Sequence, residues 1–172
     1  MKKSSFAVAS VLALLVSMPA LADDNNNTSN IDQIGVNMSA SVTQTGEGNT
    51  SNVDIDQGLG VVGNNLSATV FQGGLTGDNE ALITQNDTNQ SLDLDQHGDT
   101  TTNFASVTQN GIDNDAIILQ NGTMNTNTAT INQTGTGPLN TVDVMQGGMN
   151  NALNSTTVTQ TGGGLSATVV QN

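Results

Sequence analysis

Branched aliphatic residues recur along this chain in a fixed phase with glutamine. Ile31, Val42, Ile55, Val70, Ile83, Leu94, Val107, Ile118, Ile131, Val144, Val158 and Val169 each stand two residues before a glutamine. Those glutamines are Gln33, Gln44, Gln57, Gln72, Gln85, Gln96, Gln109, Gln120, Gln133, Gln146, Gln160 and Gln171, in steps of 11, 13, 15, 13, 11, 13, 11, 13, 13, 14 and 11 residues. Four before the glutamine Ala is commonest, as at Ala40, Ala68, Ala81, Ala105, Ala116, Ala129 and Ala167. Six before it Asn is commonest, as at Asn79, Asn103, Asn127 and Asn154, and two after it Gly fills nine of eleven places. Side chains alternate along an extended strand, so the Ala, the aliphatic residue and the glutamine share one face. The other face carries Thr, Ser, Asp and Asn. Glycine supplies the backbone freedom of a tight turn. The pattern predicts twelve strands of about five to six residues, joined by eleven short turns.

Taken in pairs, the strands give six strand-turn-strand repeats, beginning near Gln33, Gln57, Gln85, Gln109, Gln133 and Gln160. One repeat alone cannot bury so narrow an apolar face. Stacked at about one strand spacing, roughly 4.8 Å, each residue meets its equivalent above and below. The predicted fold is therefore all-β, a β-solenoid of six stacked repeats with two facing parallel sheets, becoming cross-β amyloid on assembly. An unpaired buried amide is costly. A ladder of identical glutamines removes that cost, because each amide donates to one neighbour and accepts from the other.

Composition narrows the class further. Aromatic residues make up 2% of the 172 residues, and Trp, Tyr and Cys are absent. Order must come from backbone ladders and small repeated packing units, since neither aromatic bulk nor a disulfide framework is available. Residues 1–22 read as a secretory signal peptide: Lys2 and Lys3, an apolar run from Phe6 to Val16, and Ala20-Leu21-Ala22 as the cleavage site. Residues 23–26 form a short N-terminal leader, and residues 27–172 the repeat domain. Removal of the signal takes both basic residues and leaves all 15 acidic ones. Nucleic acid binding and polybasic attachment to lipid both need cationic side chains, so neither is expected.

The motif Gln109-x-Gly111-x-x-Asn114-x-Ala116-x-x-x-Gln120 resembles the curlin repeat, and Asn103-x-Ala105 and Asn127-x-Ala129 repeat parts of it. The resemblance runs from about Asn27 to the C-terminus. It implies a structural subunit of a curli amyloid fibre, secreted to the bacterial cell surface and serving biofilm matrix and adhesion. It also implies partners: further copies of the chain, a nucleator subunit, a periplasmic chaperone and an outer-membrane export pore. Ser usually opens the family's repeat six before its first glutamine; here only Ser51 does, and Asn stands there elsewhere. The family's major subunit also has a longer exported leader, and its nucleator tends to carry basic residues in the terminal repeat. This chain ends Val169-Val170-Gln171-Asn172, which favours the major-subunit role.

Other chemistry is weakly signalled. Asp54 with Asp56, and Asp93 with Asp95, are Asp-x-Asp pairs, expected on a solvated face without a cleft between them. His97 is the single histidine, so no histidine triad or cluster can form. Outward threonines such as Thr157 and Thr159 form no regular array in the sequence. No catalytic, cofactor-binding or metal site and no small-molecule substrate is expected, and the chain reads as a non-enzyme. The alternatives to a fibre subunit are a secreted monomeric solenoid adhesin and a nucleator of another fibre. The last repeat, from Thr156 to Asn172, keeps the full pattern, which favours polymerisation.

Overall fold

The computed structural model describes residues 13–17, 26–46, 50–58, 63–99, 101–135, 137–149 and 152–172. Strands β1 (Ala13–Ser17), β2 (Asn26–Gln33), β3 (Gly35–Val36), β4 (Ser39–Gln44), β5 (Thr50–Gln57) and β6 (Gly63–Gly73) come first. Strands β7 (Asp78–His97), β8 (Thr102–Gln120), β9 (Thr126–Gly135), β10 (Asn140–Gln146), β11 (Leu153–Thr161) and β12 (Ser166–Gln171) follow. No helix occurs among the described residues.

Every strand pairing is parallel. One stack runs β2, β5, β7, β8, β9, β11. The facing stack runs β4, β6, β7, β8, β10, β12. The protein is thus a β-solenoid of six coils with two facing parallel sheets, as the glutamine phase predicts. In each stack glutamine lies on glutamine and aliphatic on aliphatic, as in Ile31 on Ile55 and Val144 on Val169. A one-residue slip would turn every apolar side chain outward, so burial holds this register.

Two details differ from the sequence expectation. The turns of coils three and four are themselves ladder-paired, Asn86 on Asn110 and Asp87 on Gly111, so β7 and β8 each pass through both sheets as one long strand. Corner residues there adopt left-handed backbone: Asp87 at φ 82°, Asn89 at φ 54° and Asp113 at φ 57°. Asp and Asn tolerate this region better than most residues. At Asp87, where the repeat would place glycine, the carboxylate Oδ2 also accepts the Gly111 backbone N–H at 2.8 Å. The second detail is β1, which falls inside the segment read as the signal peptide and pairs with β4, Val16 beside Val42.

The core is a thin double row. Ala40, Val42, Val53, Ile55, Ala68, Val70, Ala81, Ile83, Leu92, Leu94, Ala105, Val107, Ala116, Ile118, Ala129, Ile131, Val142, Val144 and Val158 form one continuous buried cluster, with Ile31, Ala167 and Val169 packed against it at the ends. Small residues let the two sheets approach closely, and the aliphatic residues fill the remaining width. At the turns the coils approach more closely still. A Cβ on Gly98 (φ 141°) would lie 2.1 Å from the Gly122 carbonyl oxygen, and one on Gly74 (φ 132°) would lie 2.1 Å from the Gly98 oxygen. Gly98→Ala therefore combines a disfavoured backbone with a backbone clash, and should cost about 2 kcal/mol or more. The midpoint of chemical denaturation checks this, and an unchanged midpoint would show that the turn stack relaxes freely.

Candidate functional site

The chemistry of this solenoid lies in its buried amides. Gln57, Gln72, Gln85, Gln96, Gln109, Gln120 and Gln133 are 0% exposed. Gln44, Gln146 and Gln160 are also buried, while Gln33 and Gln171 in the end coils are half-buried. In the first stack the Nε2 of Gln33 donates to Gln57 Oε1, and so on through Gln85, Gln109, Gln133 and Gln160, at 2.6 to 3.0 Å. The second ladder runs the same way from Gln44 through Gln72, Gln96, Gln120 and Gln146 to Gln171, at 2.8 to 3.0 Å.

The second amide hydrogen crosses the core. Gln57 Nε2 donates to the Ser39 carbonyl, Gln85 to Ser67, Gln109 to Ser91 and Gln120 to Phe104. Each such bond ties a glutamine in one sheet to the main chain of the other. A glutamine therefore joins its coil to the next coil and also joins the two sheets.

A third ladder, of asparagines, runs in the opposite sense. Asn154 Nδ2 donates to Asn127 Oδ1, Asn127 to Asn103 and Asn103 to Asn79, at 2.8 to 2.9 Å. Strand pairing puts Ser51 next in this column, between Asn79 and Asn27. Its hydroxyl is too short to continue the ladder. Ser51 Oγ and Asn27 Oδ1 are both buried without a hydrogen-bond partner. The sequence phase identified these asparagines as recurrent, but their shared hydrogen-bond direction follows only from side-chain placement.

The acidic residues of the described strands sit on the outer faces. Asp32 lies on Asp56, and Asp54 Oδ1 accepts the Asn30 amide at 3.0 Å. Burial pushes the Asp56 carboxyl above its ordinary value of 3.8, helped by the charges of Asp54 and then Asp32. On the facing sheet Asp93 lies between Thr69 and Ile117, and Asp95 between Phe71 and Leu119. His97 Nδ1 stands 2.8 Å from Asp95 Oδ1. The Asp-x-His spacing at the end of β7 puts both side chains on one face of the strand. Among the described residues, no three His, Asp or Glu side chains come together where they could hold a metal ion. Outward Thr84, Thr108 and Thr159 share a column, but Asn132 interrupts it.

Family models, curated proteins and solved structures were all compared with this chain, and none matches it. No helix among the described residues is long and apolar enough to cross a membrane.

Three outcomes follow from the ladders and charges. Gln109→Leu leaves the Gln85 donor and the Gln133 acceptor unmet inside the core, and should cost about 2–4 kcal/mol, read from denaturation midpoints. Ser51→Asn extends the asparagine ladder to Asn27 and should stabilise the fold by about 1 kcal/mol; a loss of stability would show that the column has no room for it. The raised Asp56 pKa means that the folded chain holds this proton to higher pH than the unfolded chain does. Its contribution to stability therefore falls as pH rises from 3.8 through the raised value, and returns on acidification. Asp54→Asn should flatten the gain in thermal midpoint between about pH 6 and pH 4. A slope identical to that of the parent would remove Asp54 as a cause.

Proposed function

We propose that this chain is a structural subunit of an extracellular curli-type amyloid fibre, built at the bacterial surface by stacking copies along the solenoid axis. The observation that carries this reading is the unbroken pair of glutamine ladders, which reach both end coils. A ladder of identical amides has no natural length. Each coil already presents above and below what another coil needs, so a second chain can continue the stack with the contacts that join coils within one chain. The rest of the molecule supports a structural role over a catalytic one, because its polar side chains are spent on ladders and outer faces. The resemblance to the curlin repeat points the same way and supplies the biological setting of secretion, biofilm and adhesion.

Charge bears on the rate. Without residues 1–22 the chain carries 15 acidic residues and no Lys or Arg, so it repels incoming copies at long range. That repulsion is screened over about 8 Å at physiological ionic strength.

The test is to incubate the chain beginning at Asp23 over a series of NaCl concentrations. Its products are then imaged by electron microscopy. Unbranched fibres with a strand repeat of about 4.8 Å along the axis, forming faster as salt rises, are the expected result. A chain that remains a folded monomer at every salt concentration would overturn the reading in favour of a monomeric solenoid.

A further inference from the structure

The two end coils differ from the interior coils at one inward column. Four residues before the glutamine, the first stack carries Ser29, Val53, Ala81, Ala105, Ala129 and Thr156 in coil order. Hydroxyls occupy the two ends of this column and apolar side chains everything between them. Val53, Ala81, Ala105 and Ala129 are fully buried, so the column runs through the driest part of the core. A hydroxyl is costly in such a place unless it is hydrogen-bonded.

Thr156 is already engaged. Its Oγ1 donates to Gln171 Oε1 at 2.7 Å and accepts from Gln146 Nε2 at 3.2 Å. One lone pair of that oxygen remains, and Thr156, though only 6% exposed, lies in the last coil of the stack. Ser29, exposed at the N-terminal end, carries a hydroxyl in the same column and on the same face as Ile31 and Gln33.

We infer that Ser29 of one copy and Thr156 of the next form a hydrogen-bonded pair at the junction between copies, and that this pair sets the register of stacking. The inference rests on the proposed fibre and names the contact that joins its subunits. Four other features of the two edges agree with it. Parallel pairing throughout the chain is preserved only when a C-terminal edge meets an N-terminal edge. In that arrangement Gln160 and Gln171 lead with amide donors toward Gln33 and Gln44, continuing both ladders in their existing direction. The asparagine column continues as well, with Asn27 placed to donate to the Asn154 oxygen, opposite in sense to the glutamines as it is inside the chain. The junction also brings no acid against acid: strands β11 and β12 carry no charged side chain, and Asp32, the one acid in β2 and β4, would face Thr159.

A slip of two residues in the direction that sets Ser29 over Val158 would keep strand polarity and facing, but it would leave the hydroxyl dry and unpaired. Strand β1 occupies the edge of β4 that β12 of a second copy would take, so docking at this end requires β1 to be removed or displaced.

Cysteine is absent from the chain, which makes the register directly readable. Adjacent strands lie about 4.8 Å apart, within the Cα separation of about 4.4–6.8 Å that a disulfide spans. Equal amounts of Ser29→Cys and Thr156→Cys, each in the chain beginning at Asp23, are mixed, assembled and oxidised. A parallel mixture pairs Thr28→Cys with Ser155→Cys, the adjacent outward column, where substitution leaves the core intact. Both mixtures should give disulfide-linked mixed dimers in fibres and none in monomer. A link between Thr28→Cys and Thr157→Cys in their place, a link of Ser29→Cys to itself, or fibres with no link in either mixture would overturn the register while leaving the fibre standing. If the unsubstituted chain forms no fibres, the proposed function fails and this inference with it. Ser29→Ala should also raise the monomer concentration left at equilibrium about fivefold, the worth of one buried hydrogen bond. An unchanged value would show that the pair plays no part in docking.

Discussion

A primary amide removed from water must find partners for its oxygen and both its hydrogens, and most of this structure follows from that demand. Leaving one such group unmet costs about 1–3 kcal/mol, a large share of the stability of an ordinary domain. Twelve inward glutamines would be untenable in a core of irregular design. Here the eight in the interior coils each find an identical side chain one strand above and one below, and a main-chain carbonyl across the core, while the four in the end coils have one such neighbour each. The parallel register, the coil spacing of 24 to 28 residues and the pairing of the two sheets are the geometry in which all these bonds form together. The aliphatic column beside the ladder supplies burial, but burial alone would permit a slip of two residues. The amides make such a slip expensive.

The solenoid was legible from sequence because its signal is repeated twelve times. Parity put the aliphatic residue and glutamine on one face, and the repeat demanded stacking, so the all-β class and the facing parallel sheets could be read without side-chain detail. The corners were less legible. Local composition marks a turn wherever Gly or Asn clusters, yet Asn86 to Thr88 and Asn110 to Ile112 pair in register and keep the strand running. That depends on equal spacing in successive coils, a property of the stack rather than of the segment. The opposed directions of the Gln and Asn ladders were invisible, because they depend on which atom of a side chain faces which neighbour. Ser51 stood out as a departure from its column and the Asp-x-His spacing put Asp95 and His97 on one face, but the unmet oxygens at the first and the contact at the second needed side-chain placement.

The departures from the repeat are as informative as the repeat itself. Asp87 stands where glycine is the rule, and a hydrogen bond to the Gly111 backbone accompanies its left-handed conformation. Ser51 interrupts an otherwise continuous asparagine column and leaves two buried oxygens unmet, a local weakness in the second coil. The acids gather on outer faces, where Asp32 and Asp56 repel each other within the chain, while the strands of the last coil are free of charge. A quasi-one-dimensional stack tolerates such local costs, since each coil interacts mainly with its two neighbours.

The glutamine amides are hydrogen-bonded inside the protein, and hydrogen exchange of the side-chain carboxamides reads this directly. In isotope-labelled protein transferred to heavy water, the amide protons of Gln57, Gln72, Gln85, Gln96, Gln109, Gln120 and Gln133 should persist long after those of the exposed Asn37 and Asn65 have gone. Exchange of all these glutamines at the rate of exposed amides would contradict the account, because it would place the ladder in water.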